Sequence, residues 1–139
     1  WNLPEETAAA LKNGWVYTGD LGYQDGDGYV YLAGRKKHMI IRGGENVYPS
    51  EVEPLLLDAP GVRDAVILGL PDDTWGEIVV AAVVPDGDGA DAEAIIAHCK
   101  THLASYRCPE HIFFVDEMPL NAAGKVLRHE LMKQVTAQI

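Results

Sequence analysis

Basic residues, cysteines and long apolar runs are all scarce in this chain of 139 residues, and each shortage excludes something. Eleven Lys and Arg stand against 21 Asp and Glu, a formal charge of −10. The mean field therefore repels nucleic acid and anionic membrane surfaces, and a polyanionic ligand must be met by a local basic patch. Cys99 and Cys108 form no CxxC pair and no disulfide-dense pattern, which reads as two free thiols in a reducing compartment. No apolar run approaches the roughly 20 residues that span a bilayer, and no charged-then-apolar leader opens the sequence, so the expected location is the cytoplasm. His98 and His102 stand four apart on an expected helix without a third ligand, and DGDG at 25–28 and 86–89 lacks the further acidic ligands of a calcium loop. No metal site is expected, and no Ser-His-Asp arrangement is legible.

What is present is a composition 47% hydrophobic, ordinary for a globular protein, in a chain long enough for one core with an appendage. The opening WNLPEETAAALKNG has no Met and carries a short helix over 5–12 already under way, which reads as a cut from a longer polypeptide. From Trp15 to Gly34 the text is strand, turn, strand, with Asp25, Gly26, Asp27 and Gly28 as the turn. A basic stretch from Arg35 to Arg42 is broken by Gly43-Gly44, and Pro49 stands in the first turn of a helix running from about Ser50 to Asp58.

Two runs rich in β-branched residues, AVILGL at 65–70 and IVVAAVV at 78–84, read as strands separated by PDDTWG. Between Asp91 and Leu103 the spacing of Ile95, Ile96, Cys99 and Leu103 marks one helical face. HIFFV at 111–115 reads as a third strand, and Val126 to Val135 as a last helix with Leu127, Leu131, Met132 and Val135 inward. From residue 49 the order is α, β, β, α, β, α. The economical way to bury these faces is an α+β fold, a small, mostly antiparallel three-stranded sheet flanked by helices and preceded by a β-hairpin segment. The expected boundary puts residues 1–36 in one piece and 37–139 in another.

Three short stretches carry chemistry. Arg35, Lys36, Lys37, His38 and Arg42 lie within eight residues of an otherwise acidic protein, and the adjacent glycines allow a ligand to approach the backbone closely. Thr18-Gly19-Asp20 offers a carboxylate able to accept both hydroxyls of a ribose. In PLNAAGKVLR, Lys125 follows a glycine just ahead of a helix, where an ammonium and unpaired N–H groups together suit a phosphate. Singly, each is weak: a solvated basic segment, a turn and a surface lysine are the commoner meanings.

In series they say more. TGD, then GRxK with GGENVYPSEVE, then LxxYRCP, then PxxxxGKxxR resemble, in order and spacing, the closing motifs of the adenylate-forming superfamily: acyl- and aryl-CoA synthetases, peptide-synthetase adenylation domains and luciferases. The resemblance covers nearly the whole chain. It implies that residues 1–36 close a large N-terminal AMP-binding domain and that 37–139 form the C-terminal lid over it. It implies the ATP-dependent conversion of a carboxylic acid to acyl-AMP and then to its CoA thioester, with ATP, Mg2+ and CoA as the small molecules used. By the same resemblance Asp20 and Arg35 bind the ribose of ATP, Lys37 is the hinge, Lys125 meets the carboxylate and α-phosphate, and Gly43 and Gly44 line the pantetheine path. Trp75 and Tyr106 fall near the CoA nucleotide, while Cys108 stands where CoA synthetases often carry Lys or Arg. Two other readings are an adenylation domain delivering to a carrier protein and a non-catalytic nucleotide-binding module. The acid-binding pocket and phosphate loop would lie in the missing domain, so the chain alone is expected to be inactive.

Overall fold

The structure, a computed structural model, describes residues 2–139. It divides into two compact units that part between His38 and Met39.

The first unit contains helix α1 (Pro4–Ala10), opened by Pro4, and two hairpins. Strands β1 (Leu11–Lys12) and β2 (Trp15–Val16) are joined by Asn13-Gly14, both at positive φ, the backbone a tight two-residue turn requires. Strands β3 (Asp20–Gln24) and β4 (Val30–Arg35) pair antiparallel from Asp20↔Arg35 to Gln24↔Val30, and the Tyr23 and Tyr31 rings stack across them at 5.2 Å. The single long strand suggested by WVYTGDLGYQ is interrupted at Tyr17–Gly19, where the Thr18 hydroxyl accepts the Asp20 N–H and Gly19 takes a positive φ. None of the described residues 2–38 is buried, and Trp15, Val30 and Leu32 are 71–76% exposed.

The second unit is α+β. A short hairpin of β5 (Ile40–Arg42) and β6 (Glu45–Val47) leads into helix α2 (Pro49–Leu57). Strands β7 (Val62–Asp72) and β8 (Gly76–Pro85) follow, then helix α3 (Ala92–His102), strand β9 (His111–Phe114) and helix α4 (Arg128–Thr136). The three expected strands are all present, and β5 and β6 extend the sheet to five. Along one edge β8 pairs with β7 antiparallel. Its other edge is shared: β9 runs parallel to Val80–Val83, and β5 touches it at Arg42↔Gly76.

Alternation places Ala65, Ile67, Val79, Ala81 and Val83 on one face, where Val52 and Leu56 of α2 and Ile95 and Cys99 of α3 cover them. Val66, Leu68, Val80, Ala82 and Val84 lie on the other face under Leu131 and Val135 of α4. Two covered faces are the reason these strands read as unbroken apolar runs with no visible alternation. Helix α3 starts where Asp91 caps it, its carboxylate accepting the Glu93 N–H at 3.1 Å. The last helix begins two residues later than its apolar pattern suggests, because Val126 is spent in a bridge to Leu120 and Leu127 takes the N-cap position.

Gly69 of β7 faces Ile40 and Glu77. A Cβ there would lie 2.6 Å from Glu77 Oε1 and 3.1 Å from both Ile40 branches. Gly69→Val should therefore push the β5–β6 hairpin off the sheet and cost about 1–3 kcal/mol of stability, read by urea or thermal unfolding. Stability equal to that of the parent would show that this contact is soft. Both thiols are buried, and burial, helped by the neighbouring Cys108, pushes Cys99 up from 9.0 to about 11. Since only the thiolate reacts, Cys99 should resist a disulfide reagent at pH 8 until denaturant opens the core. Unfolding then releases its proton more readily than the native state does, so this stabilisation is complete below pH 9 and is lost as pH rises towards about 11. Rapid native labelling would contradict this.

Candidate functional site

In the first unit, Asp20 and Arg35 are cross-strand partners. Pairing of β3 with β4 puts Arg35 Nε 2.6 Å from Asp20 Oδ1, while Arg35 Nη1 donates to the Thr18 carbonyl at 3.1 Å. The backbone N–H of Lys36 closes the same end on the Gly19 carbonyl. TGD and GR, fifteen residues apart from Asp20 to Arg35, thus meet at one open strand end. An exposed ion pair like this contributes little stability, which leaves its carboxylate and guanidinium available to a polar ligand. Lys37 sits at the centre of a 3-10 turn, Lys36–His38, just before the break between units.

In the second unit, Gly43 and Gly44 form the two-residue turn of the β5–β6 hairpin at φ +57° and +88°. The Gly43 N–H donates to the Trp75 carbonyl at 2.8 Å, and a Cβ on Gly43 would come within 2.9 Å of the Trp75 ring. Among the described residues nothing lies within 4 Å of where a Cβ on Gly44 would stand. Trp75 is held on the β7–β8 turn, where Asp72 Oδ1 accepts the N–H groups of Thr74 and Trp75 at 2.9 and 2.8 Å. The turn, the indole and Tyr106 are brought together by a residue that sequence reasoning counted only as charge. The Arg42 guanidinium lies 5.8 Å from the centre of the Trp75 ring, donates to the Tyr106 carbonyl at 3.2 Å and pairs with Glu110. Beyond Tyr106, Arg107 Nε donates to the Tyr106 hydroxyl at 2.9 Å, a bond that raises the arginine's pKa, and Arg107 Nη1 meets Glu51 at 2.8 Å. The result is a ledge on which exposed glycine backbone and indole stand beside a half-buried phenol and two partly buried arginines, suited to a thin ligand with an aromatic, anionic end.

Cys108 does not join the ledge. Buried among Leu103 and Ala104, its S–H points to their carbonyls, and Arg107 is the cation that stands next to Tyr106 instead. The signal for Arg107 was its place beside Tyr106 in YRCP; for Arg42 it was the basic stretch, which named the charge but not its partners.

Lys125 stands elsewhere. Its loop is a small hairpin: Asn121 Oδ1 accepts the N–H groups of Ala123 and Lys125 at 2.9 and 3.0 Å, and Gly124 turns at φ +74°. The lysine is exposed, and among the described residues no carboxylate lies within ion-pair reach of its ammonium. Two residues separate it from the start of α4, so it projects from a turn and not from the helix end itself. The neighbouring Val126 packs into the core covered by α4, whereas Tyr106, Ile40 and Val47 belong to the opposite core. Among the described residues no group of three His, Cys, Asp or Glu is placed to hold a metal, and no helix is long and apolar enough to cross a membrane.

The sequence and the fold resemble those of known proteins. Over all 139 residues the chain is 45% identical to the long-chain-fatty-acid–CoA ligase FadD13 of Mycobacterium tuberculosis, of whose length it spans 28%. The o-succinylbenzoate CoA synthetase of Bacillus subtilis, solved with its acyl-adenylate intermediate, superposes with a TM-score of 0.82 and 42% identity, over 88% of this chain and 25% of that one. ATP-bound MatB from Rhodopseudomonas palustris superposes at a TM-score of 0.85 and 37% identity, over 96% of this chain and 27% of that one. The profile of the AMP-binding enzyme C-terminal domain matches residues 51–125, more than half of the chain, and the chain belongs to that family.

Proposed function

We propose that this chain supplies the lid of an AMP-forming carboxylic acid–CoA ligase, with residues 1–36 closing the large domain, 37–139 forming the lid and Lys37 the hinge. The observation that carries the reading is the division of the second unit's two candidate sites between opposite sides of one sheet: the Lys125 loop beside the α4-covered core, the Gly43 ledge beside the other. A body with two such sites and a break at its entrance can present each in turn to one reaction centre. The exposed apolar side chains of the first unit support a larger domain that covers them.

In the first half-reaction a carboxylate oxygen of the acid attacks the α-phosphorus of Mg2+-bound ATP and the bond to pyrophosphate breaks. Asp20 accepts ribose hydroxyls, Arg35 holds Asp20 in place, and the unpaired Lys125 ammonium faces the charge that grows on the α-phosphate oxygens. In the second, the CoA thiol loses its proton, sulfur attacks the acyl carbon, and AMP leaves. Gly43 and Gly44 line the path of the pantetheine arm, Gly43 closed on its Cβ side by the Trp75 ring and Gly44 open, while Trp75, Tyr106 and the arginines beside them suit the nucleotide end.

Single-turnover assays of the two halves test this in the full-length protein. Lys125→Ala should slow pyrophosphate release about 10²- to 10³-fold, as removal of one preorganised charge stabiliser does, yet leave thioester formation from presynthesised acyl-adenylate near the parent rate. Gly43→Leu should do the reverse, since its side chain must displace the Trp75 ring. Equal slowing of both halves by both variants would refute the alternating lid. The 139-residue chain by itself should fold and release no pyrophosphate from ATP with any of a panel of aliphatic and aromatic acids; turnover by it would refute the lid assignment.

A further inference from the structure

The pair Glu53–Arg128 lies outside both candidate sites. Arg128 opens α4, Glu53 lies on α2, and the two helices cover opposite faces of the sheet. They meet at the free edge of β7. There Arg128 Nη1 donates to the Ile67 carbonyl at 2.5 Å, Arg128 Nη2 pairs with Glu53 Oε1 at 2.6 Å, and the same Glu53 oxygen accepts the Ile67 N–H at 3.1 Å. Both backbone groups of Ile67 that a further strand would take are satisfied by this pair, and the two side chains are only about a quarter exposed, at 23% and 25%.

The position of Arg128 in the chain gives the pair a further consequence. The loop from Pro119 to Leu127 is stiff within itself: Leu127 N–H donates to Pro119 O at 2.7 Å, Leu120 bridges Val126, and Asn121 N–H donates to Lys125 O at 2.9 Å. A stiff loop moves as one piece with whatever holds its end. Burial of Val126 and Leu131 holds it to the sheet, but apolar contact is non-directional and allows sliding. The guanidinium fork, which engages α2 and β7 at once, adds a directed tie at the loop's far end, three residues beyond Lys125.

We infer that Glu53–Arg128 is a positioning device for Lys125: it sets where the lysine's loop stands and acts on adenylation through that lysine alone. Both terminal nitrogens of Arg128 are committed within the protein, so the arginine itself does not touch substrate. The inference rests on the role proposed for Lys125 above.

The test uses the full-length protein, ATP and whichever acid of the panel gives the fastest pyrophosphate release. Arg128→Gln should lower single-turnover pyrophosphate release by about 10- to 10²-fold, the scale of an ångström-level misplacement of a reacting group. Thioester formation from presynthesised acyl-adenylate should stay near the parent rate. In a Lys125→Ala background the same substitution should slow adenylation no further, because a positioning residue has nothing left to position. Glu53→Gln, which keeps an acceptor for Ile67, should show a weaker form of the same pattern and carries the test if Arg128→Gln does not fold. Equal slowing with and without Lys125, or equal loss in both half-reactions, would overturn the inference and leave the pair a stabilising contact. A Lys125→Ala variant with undiminished adenylation would instead remove the underlying role of the lysine, a result read without touching Arg128.

Discussion

Strand β8 sets the terms for the second unit. From Val79 to Val84 it is buried on both faces, and both its edges are occupied. A strand so placed exposes no side chain to water, so it must be apolar at every position and needs a layer above and a layer below. The two cores follow directly: α2 and α3 on one face, α4 on the other. The split edge follows as well, because β9 takes Val80–Val83 and leaves only the first residues of β8 for β5. The glycine turn is thereby brought to the corner where β8 begins, next to the Trp75 turn that precedes it.

Elements whose reason is local were legible in the sequence. The apolar runs at 65–70 and 78–84, the Ile95–Cys99 face and the turn residues state their own conformation, and the α+β class follows from their order. The site residues were legible as a resemblance in order and spacing, because each short motif is by itself an ordinary turn or a surface charge. Less legible was whatever depends on two distant segments. Ile40–Arg42 looks like part of a basic stretch until β8 supplies the edge it adds to. Arg42 gives no sign of bridging Trp75 and Tyr106, 33 and 64 residues further on. Cys108 looks like a missing cation in YRCP, yet its side chain is turned into the core, and Arg107 stands beside the phenol.

The same limit explains why the part played by the polar residues that finish the sheet was invisible, although Glu53 and Arg128 stand at the ends of GGENVYPSEVE and PLNAAGKVLR. Edges leave N–H and C=O groups unpaired, and a small domain must satisfy, expose or cover each of them. Here side chains do it, and two of the places stand out. Glu77 Oε2 accepts the Ile41 N–H at 2.7 Å where β5 and β8 diverge after a single backbone pair, and Glu53 with Arg128 satisfies Ile67 on the outer edge of β7. Neither carboxylate marks a period, a cap or a turn, so nothing local distinguishes it from a solvated surface charge. Each nevertheless stands beside one of the two segments with proposed chemistry: Glu77 holds the strand that carries Gly43, and Glu53 holds the arginine that follows Lys125.

That coincidence has a physical reason. Short loops are the parts of a small fold that can approach a ligand, but a loop is placed only as well as the element ends on either side of it. In this fold those ends lie at sheet edges, where the backbone ladder stops and regular hydrogen bonding no longer fixes direction. Apolar packing alone would leave them free to slide over a surface of Val and Ala. A directed, charge-assisted bond to the last backbone group restores the lost constraint. An edge-satisfying carboxylate and a positioned loop are therefore two descriptions of one requirement, which this chain meets once on each side of its sheet.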